Sequence, residues 1–98
     1  MAAMPELTLD TGLRVSPDAA FRELDGEGVL LDLGSGRYFG LDPVALRTWQ
    51  MLSDGLTLRA IRDRLLDEFD VDAPTLESDL LTFVRDLLGR GLVSTGTI

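Results

Sequence analysis

Apolar positions recur in two rhythms, at period two in short runs as far as Leu41 and at three-to-four spacing from there to Leu88. Alternation places side chains on one face of a strand, and three-to-four spacing places them on one stripe of a helix. Between Leu13 and Leu41 the short runs are separated by turn residues, which predicts three antiparallel strands over 19–24, 29–33 and 37–41. Asp25-Gly26 supplies the positive-φ pair of a tight hairpin, and Gly34-Ser35-Gly36 reverses the chain a second time. Period two sets Val29, Leu31 and Leu33 on one face of the middle strand, and Phe39 and Leu41 on one face of the next. These five are the expected core face, with Leu30, Asp32 and Tyr38 pointing away. So small a sheet needs something packed against it.

The second rhythm supplies that cover. Asp42-Pro43 combines a capping side chain with a residue whose fixed φ suits the first helical turn, and it predicts a helix over 43–53. Ala45, Leu46, Trp49 and Leu52 form its stripe, with Trp49 read as core. Thr57 opens a second helix, 57–69, on Leu58, Ile61, Leu65 and Phe69; Asp72 and Pro74 open a third, 73–88, which Gly89 and Gly91 end. The third helix carries two ridges: Leu76, Leu80, Phe83 and Leu87 on one, Leu81, Val84 and Leu88 on the other. Either it is buried on both sides, or the second ridge lines an exposed apolar groove. The fold class is therefore α+β, one domain over 13–98 preceded by a flexible tail over 1–12. Within that tail the alternation of Leu7 with Leu9 allows a short strand, able to occupy a free sheet edge.

Composition narrows the function. With 45% hydrophobic and 27% charged residues, 98 residues make one folded domain. The chain lacks Cys, His, Lys and Asn. Disulfides, the usual zinc ligand sets and thiol or imidazole catalysis are thereby excluded, and no cofactor or metal is expected. Seventeen acids against nine arginines give a net charge of −8, which repels phosphate backbones and anionic lipid. No signal-peptide pattern or 18-residue apolar run occurs, so no membrane partner is expected, and the default is a cytoplasmic protein.

One stretch, LLDLGSGRYFGLDPVALRTWQMLSDGLTLRAIRDRLLDEFDVDAPTLESDLLTFVRDLLGRGLV, resembles the PqqD family of RiPP recognition elements. The resemblance rests on the Gly-x-Gly-Arg-Tyr-Phe turn and strand beginning at Gly34, the Asp42-Pro43 helix start, Trp49, Asp54-Gly55, Asp79 and the terminal Gly91-Leu92-Val93. It spans Val29 to Val93 and looks most like the stand-alone recognition proteins of lasso-peptide pathways. What it implies is a winged helix-turn-helix-like domain, three strands then three helices, that binds the leader segment of a ribosomally made precursor peptide. It further implies delivery to a separate leader peptidase and an ATP-dependent cyclase. The leader would add as a strand beside the third predicted strand, at Arg37, Tyr38, Phe39, Gly40 and Leu41. Its side chains would enter a groove against the third helix, at Leu80, Leu81, Val84, Arg85 and Leu88.

Residue chemistry bears on each of these. The third strand of a meander leaves an unpaired edge, and this one holds no proline and a single charge, Arg37. Gly40 marks either a close backbone approach or a bulge. Phe39 reads as core, while Tyr38 reads as surface, flanking a ligand or covering Leu30. Arg85 is either a partner for a leader carboxylate or a solvated charge. About four ladder bonds at roughly 0.5–1.5 kcal/mol each roughly offset a peptide-ordering cost on the order of 2–5 kcal/mol. Affinity therefore depends on side-chain pockets. A different client, in pyrroloquinoline quinone or other peptide modification, keeps the same fold. DNA binding is disfavoured because helix three carries Glu77, Asp79 and Asp86 beside only Arg85 and Arg90. Catalysis is disfavoured because the Gly-Ser-Gly turn leads into a strand, outside the strand–loop–helix setting of a phosphate loop.

Overall fold

The computed structural model describes residues 7–95. Its elements in chain order are β1 (Leu13–Val15), β2 (Ala19–Leu24), β3 (Glu27–Asp32), β4 (Arg37–Leu41), α1 (Pro43–Ser53), α2 (Leu58–Glu68), α3 (Ala73–Gly89) and β5 (Val93–Thr95). The fold is α+β: an antiparallel β2-β3-β4 sheet against three helices, with a second, two-stranded sheet of β1 and β5. No helix among the described residues is long and apolar enough to cross a membrane.

Local chemistry sets most boundaries. Asp25 and Gly26 both take positive φ, as a two-residue primed turn requires, so β3 begins at Glu27 rather than at Val29. The side chain of Asp42 accepts a hydrogen bond from the Ala45 N–H at 2.8 Å, Thr57 accepts from Ala60 at 3.1 Å, and Asp72 accepts from Thr75 at 3.2 Å. Each satisfies a donor that the first helical turn leaves open. At the far ends, Gly55 and Gly91 take left-handed φ. Paired reverse bonds, Leu56 N–H to Met51 O and Leu92 N–H to Leu87 O, close α1 and α3.

The core face of the sheet is a correction. Leu30 is 0% exposed and sits opposite Phe21 on one side and Phe39 on the other, with Leu41 one row along opposite Gly28. Val29 and Leu31 lie on the outer face with Tyr38, and Leu33 is 59% exposed. The β3–β4 turn decides this. Asp32 accepts bonds from the Gly34 N–H and the Ser35 hydroxyl and pairs with Arg37, and that register puts Leu30, not Leu31, opposite Phe39. Because side chains alternate, a one-residue difference exchanges the two faces entirely.

The chain before Leu13 also departs from expectation. Residues 1–6 lie outside the described residues, but Leu7 and Leu9 pack against the core. The Leu9 carbonyl accepts the Arg59 N–H, and Asp10 forms a two-bond ion pair with Arg59 at 3.0 Å. Leu9 therefore docks on the first turn of α2, with no backbone bond from Leu7 or Leu9 to a strand among the described residues. Trp49 is core as expected, among Leu46, Leu52, Leu58, Ile61 and Leu65.

Candidate peptide-binding groove

β4 is the terminal strand of the β2-β3-β4 sheet, so one row of its backbone groups has no ladder partner. Beside that edge a cavity of about 520 Å³ opens between β4 and α3. The buried side chains of Leu30, Leu41 and Leu92 form its floor, Phe39, Phe83 and Leu87 stand along its sides, and Tyr38, Asp86 and Arg90 reach its rim. A second cavity of about 300 Å³ lies between α1 and α3 and shares Asp42, Ala45 and Phe83 with the first. A trough lined largely by apolar side chains thus runs beside an open strand edge, with a further pocket bordering it at Asp42, Ala45 and Phe83.

Each wall has a local cause. The Asp32 turn holds β4 in register, and Pro43 starts α1 directly after Asp42, so Ala45 overlooks the end of the strand. Arg90, one residue past α3, turns back to donate from Nε to Asp86 at 3.1 Å and lays its guanidinium 4.3 Å from the centre of the Phe39 ring. That contact ties α3 to β4 at one end of the trough.

The residues expected at the site separate into two groups. Arg37 is exposed at the start of the edge strand, Tyr38 is 73% exposed at the rim, and Phe39, Gly40 and Leu41 line the trough. The pairing Leu30–Phe39, Val29–Gly40, Gly28–Leu41 is unbroken, so Gly40 is no bulge, and a Cβ built there meets nothing within 4 Å. Leu80 lines the second cavity. Leu81, Val84, Arg85 and Leu88 line neither cavity. Val84 is 0% exposed and belongs to the core, Leu81 and Leu88 are half-buried against it, and Arg85 is exposed.

The geometry of α3 explains the division. At about 100° per residue, Leu81 and Leu88 stand roughly 140–160° around the helix from Phe83. The ridge that faces β4 is the one carrying Phe83 and Leu87, extended by Asp86 and Arg90. Sequence reasoning did not place these four at the trough, nor Ala45 and Asp42. The available signal was Phe83: a large aromatic at the border of the core stripe, three residues before an acid and seven before an arginine on the same flank.

The profile of the PqqD family, described as coenzyme PQQ synthesis protein D, matches residues 27–93. Two solved structures share the fold. TbiB1 in complex with the TbiA(beta) leader peptide is 39% identical, with a TM-score of 0.78 over 87% of this chain and 98% of that one. Lasso peptide synthetase B1 complexed with the leader peptide is 29% identical, with a TM-score of 0.75 over 84% of this chain and 96% of that one. No curated protein sequence matches.

Proposed function

The chain belongs to the PqqD family, and from that premise we propose that it binds the leader segment of a ribosomally made precursor in lasso peptide biosynthesis. The leader adds as a strand to β4, sets side chains into the trough against α3, and is delivered in this form to a separate leader peptidase and an ATP-dependent cyclase. The observation that carries this reading is the coincidence of an unpaired five-residue strand edge with an apolar trough alongside it. Backbone pairing supplies alignment, and burial of apolar side chains against Phe39, Phe83 and Leu87 supplies the net affinity. The two structural relatives, each solved with a leader peptide, support the same assignment.

In this reading binding is the whole of the protein's part, and the bond-making belongs to the partner enzymes. The chain has neither His nor Cys to act as nucleophile or neutral-pH base. Its place of action is the cytoplasm, where ribosomal precursors are made.

Calorimetric titration with a synthetic lasso-type leader carrying a Tyr-x-x-Pro motif, with amide hydrogen exchange read in parallel, tests the proposal. Micromolar or tighter binding is expected, with new protection in Arg37–Leu41 and in α3, and with binding lost when the motif Tyr and Pro are replaced by Ala. Absence of binding, or protection confined to other elements, overturns it. Delivery is tested by the rate at which the pathway's peptidase cleaves the precursor with and without this protein; equal rates overturn that step.

A further inference from the structure

The second cavity, between α1 and α3, is walled by apolar groups, among them Val44, Leu80 and Phe83, yet two carboxylates, Asp42 and Asp79, line it as well. One oxygen of Asp42 accepts the Ala45 N–H. Neither carboxylate has a cationic partner among the described residues, although four arginines elsewhere, Arg47, Arg59, Arg62 and Arg90, are each ion-paired. An aliphatic or aromatic occupant would cover these two acids and strip their water without compensation. A long cationic side chain does the opposite. Its methylene stem packs on the apolar wall while its charged end stays at the acids.

The cavity shares Asp42, Ala45 and Phe83 with the β4 trough, and Asp42 directly follows Leu41, so a peptide paired along β4 reaches this cavity's border as it leaves Leu41. Resting on the leader-binding reading above, the geometry points to a specificity site: the cavity between α1 and α3 takes a lysine or arginine side chain of the bound leader. Asp79 is the selecting charge, and Asp42 combines that role with capping α1.

The test is a cycle of paired substitutions read by calorimetry. Each Lys and Arg of the Tyr-x-x-Pro leader peptide is replaced in turn by norleucine, which keeps the stem and removes the charge. Every peptide is titrated against the unaltered protein and against Asp79→Asn. Asp79 is exposed and engages in no side-chain hydrogen bond among the described residues, and an unchanged melting midpoint checks that the variant is folded. One peptide position is expected to lose about threefold to fivefold in affinity against the unaltered protein, the scale of a part-exposed ion pair, and to lose measurably less against Asp79→Asn, where Asp42 alone remains. Binding in which no cation couples to Asp79, or binding by a leader with no cation, overturns this inference and leaves the proposed function standing. Absence of leader binding overturns both.

Discussion

Gly28 is buried in the sheet, where a side chain would crowd its neighbours. A methyl at that position would come within 2.9 Å of Leu46 Cδ1, 3.1 Å of Phe21 Cε1 and 3.3 Å of Leu41 Cβ. Gly28→Ala is therefore expected to destabilise the protein by about 1–3 kcal/mol, measured as a lower urea midpoint at unchanged slope. Val84 poses the opposite problem, a fully buried side chain on the ridge that sequence periodicity left open to either reading. Val84→Asp is expected to abolish the cooperative unfolding transition, since an unpaired carboxylate in the core costs several kcal/mol. Phe83→Ala, by contrast, removes half-buried surface shared by both cavities. It is expected to weaken leader binding at least tenfold in calorimetry while the protein still melts cooperatively; full retention of affinity would show that the trough is not the site.

At the scale of elements, the helices are held at their starts by side chains already evident in the chain. Thr57→Ala is expected to cost about 0.5–2 kcal/mol by leaving the Ala60 N–H without its acceptor. Denaturant unfolding would register the loss, and Thr57→Ser should restore most of it. The strands obey a different logic. That β3 and β4 exist is written in their alternation and in the glycines between them, but which face turns inward depends on the turn joining them, where Asp32, Ser35 and Gly36 set the register that turns Leu30 rather than Leu31 toward the face of Phe39. β1 and β5 carried no usable signal. Each is three residues long, too short to alternate visibly, and each acquires its pairing from a partner at the opposite end of the chain.

Across the whole molecule, residues 7–12 act as a strap on α2 through Leu7, Leu9 and the Asp10–Arg59 pair. Deletion through Gly12 is expected to lower the melting midpoint by roughly 5–15 °C, from about 1–2 kcal/mol of lost burial at the sensitivity of a domain this size. Acid should act through the same strap. Hydrogen bonding to Arg59 holds the Asp10 carboxyl below the usual range, and Arg47 does the same to Glu68. Stability from such depressed groups is complete above the unfolded carboxylate pKa near 4 and is lost as pH falls through the folded values. The urea midpoint should accordingly decline below about pH 4, and Arg47→Gln with Arg59→Gln should flatten that decline. By itself the sequence determined the helices with their caps, the two hairpin turns, the family resemblance and the edge strand Arg37–Leu41, because each depends on contacts within a few residues. Only the tertiary structure decided that Leu30 is core, that β1 pairs with β5, and that Phe83, Leu87 and Arg90, rather than Leu81 and Leu88, face the trough. A period identifies a stripe, but which flank of that stripe meets a partner is set by how the packed elements cross.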